Sequence, residues 1–214
     1  MIIDVLENGK MDDKLTIQVL GNLATLISLP ANIYHKTFME EYGERIANAV
    51  KDRLLNAPDK SIRDVRKESI DATLKAVSSV QARVMDKEVA AKDLEVFKLK
   101  MCKKCLESEF LERRIQGIRE LNNIIKNNTI FTSKQFEPEF LIKWIAANQI
   151  LDIIWVARKT HAQLVERSND IWRLLLKEKL LSDEHLQMFW DLTKTADFKS
   201  GVYKIISESS YCLQ

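Results

Sequence analysis

The clearest hydrophobic pattern in the chain lies in residues 108–126, where apolar side chains recur every three or four positions. One stripe contains Leu111, Ile115, Ile118, Leu121 and Ile125, and the other side carries Glu112, Arg113, Gln116, Arg119, Glu120 and Asn123. This spacing predicts an amphipathic helix whose stripe must be covered by neighbouring helices. Gly117 lies inside it at a cost of about 1 kcal/mol relative to alanine, which favours a closely approaching helix backbone over a functional role.

Long helices are predicted before this segment. After a ragged lead-in over residues 1–10, Asp12 or Asp13 caps a helix that ends at Pro30. The next helix spans residues 31–57, with a predicted inner face of Ile33, Phe38, Tyr42, Ile46, Val50 and Leu54.

Two more helices complete the N-terminal half. Ser61 with Asp64 has the character of a capping box and predicts a third helix that runs towards Met85. Its buried side is predicted to contain Ile62, Val65, Ser69, Ala72, Ala76 and Val80. Residues 87–106 continue the pattern more weakly through Val89, Leu94, Phe97, Met101 and Cys105.

Shorter helices are predicted after the central one. Residues 127–129 break the pattern, Pro138 fits the first turn of a new helix, and residues 150–157 form a short helix buried on most sides. The next stripe comprises Leu164, Ser168, Ile171 and Leu175. Ser182 then caps a helix with Leu186, Phe189, Trp190 and Thr193 facing inwards, and a last helix carries Phe198, Val202, Ile205 and Ile206.

This succession predicts an all-α fold of the armadillo or HEAT type, an α-solenoid of stacked antiparallel helices that are longer in the N-terminal half. No strict repeat of fixed period is recognisable, so the prediction depends on the succession of helices. We expect a lead-in over 1–10, a helical segment over 11–107, and armadillo-like repeats over 108–214 that continue from it. The segment 209–214 does not form an evident polar capping helix, which indicates either a longer parent protein or a second chain that covers this end.

Composition excludes several classes of function. Among 214 residues, 33 Lys and Arg against 31 Asp and Glu leave a net charge of +2, which does not favour nucleic acid as a partner. The chain has no apolar run long enough to cross a membrane and no secretory signal, and three cysteines do not make a disulfide framework. We therefore expect a cytoplasmic or nuclear protein.

Candidate chemistry is sparse. Cys102 and Cys105 form a single CxxC pair, but no second pair supplies the other ligands of a zinc site, and His35, His161 and His185 are scattered. The pattern favours Cys105 as a packing residue, Cys102 as incidental, and His161 and His185 as capping or surface residues. We expect no catalytic residue, metal or cofactor, although a metal or redox protein using Cys102 and Cys105 stays as an alternative.

The tryptophans and arginines suggest a surface for binding proteins. Trp144, Trp155, Trp172 and Trp190 lie on predicted inward stripes, which favours core packing, with one or two exposed anchors as the alternative. Arg113, Arg114, Arg119, Arg158 and Arg167 are candidates for the rim of a binding face, against the more common role of a solvated helix surface.

Four blocks carry a resemblance to a known family: residues 105–121, 144–151, 161–168 and 180–190, beginning Cys105-Leu-Glu-Ser-Glu, Trp144-Ile-Ala-Ala, His161-Ala-Gln-Leu and Leu180-Leu-Ser-Asp. Their order and spacing resemble the helical non-catalytic region of the giant ubiquitin-specific proteases of the fat-facets type. The resemblance covers roughly the second half of the chain.

The resemblance implies an armadillo-like scaffold that contacts protein partners, either a catalytic protease domain or a ubiquitinated substrate. It does not imply activity, because the family's Gly-Asn-Thr-Cys cysteine box and its distant histidine box are absent from the chain. The functional hypothesis is thus a non-enzymatic interaction scaffold in ubiquitin removal. An adaptor of the armadillo or HEAT type that is unrelated to ubiquitin is the alternative.

Overall fold

The structure is a computed structural model that describes residues 22, 33–63, 67–130, 138–155 and 160–209. In these ranges the regular elements are α-helices, and none of the described residues is in a strand. The prediction of an all-α protein is confirmed. The chain divides into two compact units, Met1–Met101 and Cys102–Gln214, and none of the described helices is both long and apolar enough to cross a bilayer.

The first unit contains the long helices. They are α1 (Ile33–Asn56), α2 (Asp59–Arg63), α3 (Lys67–Val84) and the first part of α4 (Lys87–Glu107). The bounds of α1 and α4 agree closely with the sequence predictions, whereas α3 begins at Lys67 rather than near the predicted start at Ser61. Of the predicted helix before Pro30, the structure describes Asn22 alone, which is helical. The predicted capping box is wrong, because Ser61 lies inside α2, whose first turn already contains Asp59; Asp64 is outside the described residues.

The core of this unit lies where α1 packs along α3. Its buried members are Met39, Ile46, Ala47, Val50, Leu54, Ala57, Val77, Val80 and Phe97. Two residues predicted to face inwards do not, since Phe38 and Val89 are both exposed. Both lie in the first two turns of their helices.

A charged group is also buried in this unit. The ammonium of Lys51 on α1 donates to the carboxylate of Asp93 on α4, and the side-chain amide of Gln81 on α3 donates to the same oxygen at 2.6 Å. Burial acts to raise the pKa of Asp93, but the hydrogen bonds from Lys51 and Gln81 outweigh it and hold the pKa below its usual value. The pair thus compensates a lysine that would otherwise be buried alone.

The second unit is built from shorter helices. After the end of α4 come α5 (Leu111–Ile130), α6 (Pro138–Ala147), α7 (Ile150–Trp155), α8 (Ala162–Arg167), α9 (Asn169–Lys177), α10 (Asp183–Leu192) and α11 (Ala196–Ser209). The predicted start at Pro138 and the Ser182 cap are confirmed. The predicted break at residues 127–129 is wrong, because α5 continues through them to Ile130. Asparagine and threonine are poor helix formers, but a helix of this length tolerates them in its last turn.

Gly117 on α5 faces the end of α4 at very short range. A Cβ atom at Gly117 would lie 2.8 Å from Cys105 Cβ and 2.9 Å from the carbonyl oxygen of Cys102. Backbone cannot move aside as the tip of a flexible side chain can, so only glycine fits here. The predicted close approach of a second helix backbone is confirmed, and Ile118, Leu121 and Ile125 are buried next to it.

The helices of the second unit pack in series. Helix α5 packs on α8 and α9, and both of these pack on α11. In a parallel series, α6 packs on α7, α7 packs on α10, and α10 packs on α11. The four residues of the predicted stripe, Leu164, Ser168, Ile171 and Leu175, are all buried inside this arrangement. The apolar stripe of a helix is therefore covered by helices that come later in the chain, as in a helical-repeat protein.

We expect Gly117→Ala to lower the free energy of unfolding by about 1–2 kcal/mol, because the overpacking at Cys105 exceeds the gain in helix propensity. Urea unfolding followed by circular dichroism measures the change. Gly201→Ala is the matched control, since the tightest contact of a Cβ there is with the side chain of the exposed Glu166 at 3.1 Å, and its contacts with the Glu166 nitrogen and Val165 Cγ1 are at an ordinary 3.7 Å. A Gly117→Ala protein at least as stable as the wild type would contradict the account.

We expect Asp93→Asn to destabilise the protein by about 1–2 kcal/mol near neutral pH, because Lys51 then loses its charged partner. The pKa of Asp93 is lowered in the folded state, so its contribution is complete above the unfolded pKa of about 4 and is lost as the pH falls through the folded pKa. Unfolding free energies measured against pH should show the wild type and variant converging in acid.

The control for this comparison is Glu40→Gln on α1, whose partner Lys36 lies 3.8 Å away with both side chains largely exposed. Exposed pairs of this kind contribute at most about 1 kcal/mol. A gap between wild type and Asp93→Asn that stays constant from neutral to acidic pH would show that the carboxylate charge is not what stabilises this site.

Candidate protein-interaction surface

Three aromatic rings occupy the interior of the second unit. The rings of Trp172 and Phe189 stack with centroids 4.2 Å apart, and Trp155 lies 5.7 Å from the first and 5.1 Å from the second. The indole N–H of Trp155 donates to the buried hydroxyl of Ser168 at 3.1 Å, and that hydroxyl donates to the carbonyl of Val165 at 2.6 Å. Core packing is thus confirmed for Trp155 and Trp172, which join α7, α9 and α10.

Trp190 has the opposite role. With Leu186, one turn earlier on α10, it was predicted to face inwards, but the structure leaves 56% of Trp190 and 45% of Leu186 exposed. Phe189 takes the inward position, and each exposed residue is offset from it by about 60° to 100° around the helix. On α11, Tyr203 and Ile206 are also exposed, at 47% and 41%, although Ile206 was predicted to be buried. The apolar stripe of each helix is wider than the face that the preceding helices cover.

The predicted arginine rim divides into buried and exposed members. Arg113 and Arg114 are buried, and the guanidinium of Arg113 donates to Gln116 on its own helix at 3.0 Å. Burial lowers the pKa of Arg114, which nevertheless stays protonated at neutral pH. Arg119 and Arg167 are exposed, and Arg158 lies outside the described residues. Of the predicted rim, the structure therefore presents Arg119 and Arg167 to solvent.

These two exposed arginines lie on helices that are joined directly. The amide of Asn122, three residues after Arg119 on α5, donates at 2.8 Å to the carbonyl oxygen of Arg167 at the end of α8. One turn further along α5, Lys126 forms a 3.0 Å ion pair with Asp170 on α9. Helices α5, α8 and α9, which meet at these two contacts, thus carry two exposed arginines and an ion-paired lysine. We call Arg119, Arg167 and Lys126 the basic seam.

An open groove of about 460 Å³ lies elsewhere on the second unit, among residues of α6, α7, α9 and α10. Its lining includes the apolar residues Ile142, Ala146 and Leu175 and the acidic residues Asp152 and Glu178. Leu180 enters the groove because Lys179 turns the chain in the left-handed region, with φ 58°. The amide of Leu180 then donates to the carbonyl of Leu175 at 2.9 Å, as in a Schellman turn.

The described cysteines, Cys102 and Cys105, and two of the histidines, His161 and His185, have structural roles. Cys102 and Cys105 are both buried thiols at the contact with Gly117, so Cys105 is a packing residue as predicted, and Cys102 is buried too rather than incidental. Nδ1 of His161 caps α8 by accepting from the amide of Gln163 at 3.3 Å, and His185 completes the capping box of Ser182. Within the described ranges, no group of three His, Cys, Asp or Glu residues is placed to hold a metal ion.

The serial packing of short helices, with stacked aromatics inside and charged seams outside, defines an all-helical repeat protein. Residues 92–211 match the family described as the UBP24/USP9X/USP9Y ARM repeat. The chain belongs to this family, and the predicted resemblance to ubiquitin-specific proteases of the fat-facets type is confirmed, as is the armadillo-like fold.

Individual relatives agree with this assignment. The chain is 22% identical over 203 residues to probable ubiquitin carboxyl-terminal hydrolase FAF of Drosophila melanogaster. This match covers 86% of the chain but only 7% of the relative. The chain is 25% identical over 130 residues to human ubiquitin carboxyl-terminal hydrolase 9Y and 26% identical to mouse ubiquitin carboxyl-terminal hydrolase 9X, each match covering 57% of the chain and 5% of the relative. No solved structure matches the chain.

Proposed function

We propose that this chain is a non-catalytic, helical-repeat scaffold that binds proteins during ubiquitin removal. The observation that carries the proposal is the match of residues 92–211 to an ARM repeat region of ubiquitin-specific proteases. The partner is either a catalytic protease domain or a ubiquitinated substrate. ARM-type stacks bind through extended surfaces rather than enclosed pockets.

The basic seam supports this proposal at the level of residues. Arg119 and Arg167 are exposed on helices held together by the Asn122 hydrogen bond. Arginine is enriched at binding hot spots, because its planar guanidinium forms paired hydrogen bonds with carboxylates. We infer that the seam contacts an acidic surface of the partner.

The first test is an activity assay with a fluorogenic ubiquitin substrate, which we expect the purified chain not to turn over. Cys102→Ser and Cys105→Ser serve as controls, since they remove the buried thiols with little change in side-chain volume. Turnover in the wild type that disappears in either variant would show the chain to be a cysteine hydrolase and would overturn the proposal.

The second test measures binding of the chain to two probes, a ubiquitin-specific protease catalytic domain and a polyubiquitin chain. We expect one of them to bind, and Arg119→Glu/Arg167→Glu to weaken that binding about tenfold or more, because charge reversal replaces attraction with repulsion. Lys177→Glu/Lys204→Glu is the matched control, with two exposed lysines elsewhere in the unit. If neither probe binds, the adaptor unrelated to ubiquitin becomes the better hypothesis.

A further inference from the structure

The groove on the second unit has an apolar lining that is still open to a ligand. Its volume of about 460 Å³ lies within the range of about 300–1,000 Å³ that is usual for ligand pockets. Two of the apolar residues that line it remain accessible, since Ala146 is exposed and Leu180 is 48% exposed. A ligand that covers them therefore gains from the burial of apolar surface.

The charges of the groove favour a cationic ligand. Glu139, Asp152 and Glu178 line it, whereas Lys143 is the one lysine or arginine among the described lining residues. Lys143 already pairs with Glu139 at 3.4 Å, while Asp152 and Glu178 form no ion pair with another described residue. The groove is thus locally negative on a chain whose net charge is +2, and a positively charged group would complement it.

Two strained turns lie at the same groove. In the part of the chain that the structure describes, Gln149 and Lys179 are the non-glycine residues with positive φ, at 50° and 58°. Gln149 lines the groove at the turn between α6 and α7, and Lys179 lies between two lining residues, Glu178 and Leu180. This conformation is unfavourable for a residue with a Cβ atom, and such strain is concentrated at functional sites. The backbone therefore indicates the same place as the apolar lining and the charges.

We propose that the groove binds a segment of a partner protein that carries a large apolar side chain next to a lysine or arginine. The apolar side chain packs against Ala146 and Leu180, and the cation pairs with Asp152 or Glu178. Burial of the apolar side chain supplies affinity, and the ion pair orients the segment. The proposal depends neither on a role in ubiquitin removal nor on the basic seam, which lies on α5 and α8 and favours a partner of opposite charge.

The test is an NMR titration of the ¹⁵N-labelled 214-residue chain with a panel of short synthetic peptides. Each peptide carries one leucine, methionine or phenylalanine, and one arginine placed one to three positions later, among glycines and serines. We expect at least one of them to shift the amides of Gln149 and Leu180 in a saturable way, and replacement of its apolar residue by serine to weaken binding about fivefold or more. If no peptide of the panel shifts these amides at millimolar concentration, the proposal is wrong.

A variant that fills the groove tests the position of the apolar side chain. Ala146→Phe places a ring in the groove at an exposed helix position, so it should weaken the best peptide about tenfold without lowering the melting temperature. Ala147→Phe is the matched control, because Ala147 is the next residue of α6, is also exposed and is not one of the groove residues. Equal binding by the wild type and Ala146→Phe would overturn the proposal.

The charges are tested with Asp152→Asn/Glu178→Gln, which should weaken the arginine peptide about fivefold and leave unchanged a peptide with the uncharged analogue citrulline. Glu166→Gln/Asp197→Asn is the control, with two exposed acidic residues of the same unit, of which Asp197, like Asp152, lies in the first turn of its helix. If the wild type binds the arginine and citrulline peptides equally well, the proposal is wrong. It is also wrong if the groove amides shift with the concentration of the chain alone, since the occupant is then a second copy.

Discussion

The second unit depends on the approach of two helix backbones at Gly117. The absence of a side chain there lets α5 lie against Cys102 and Cys105 of α4 closely enough to exclude even a methyl group. This contact fixes the rotation of α5, so that Ile118, Leu121 and Ile125 point into the unit and Asn122 reaches α8. Once α5 is fixed, the positions of α8 and α9, and then of α11, follow from the need to cover each apolar stripe in turn.

Buried polar groups give this apolar stack its specificity. Ser168, at the break between α8 and α9, accepts a hydrogen bond from Trp155 and donates one to Val165, so a hydroxyl in the core is satisfied on both sides. Asn122 likewise satisfies a carbonyl at the end of α8 that the helix itself leaves without a partner. Such directional contacts select one rotation and register of the helices among the many that apolar packing alone would allow.

The sequence predicts most of the helices because their apolar residues have a regular period. The bounds of α4, the Pro138 start, the Ser182 cap and the tight contact at Gly117 were all predicted from local pattern and steric argument. Arg113 is a residue whose burial the pattern does not predict. It lies on the polar side of α5 in the pattern but is buried in the structure, because periodicity defines the faces of a helix and cannot say what lies against them.

The candidate surface was predictable only in part for the same reason. Trp190 and Ile206 have the spacing of core residues, yet both are exposed, and none of the described helices buries them. Tyr203 gave no signal in the sequence, because a single aromatic residue next to a stripe is as common inside as outside. The sequence does not show that Arg119 and Arg167 lie on neighbouring helices. This follows from the hydrogen bond between Asn122 and Arg167, which are 45 residues apart in the chain.

The helices of the second unit shield one another as a stack. Hydrogen–deuterium exchange followed by NMR can measure this shielding at the amides of Leu121 on α5, Val165 on α8 and Val202 on α11. We expect slow exchange at all three positions, with protection far above that of the amides at the exposed turn around Lys194. Exchange at Leu121 or Val165 as fast as at Lys194 would contradict it.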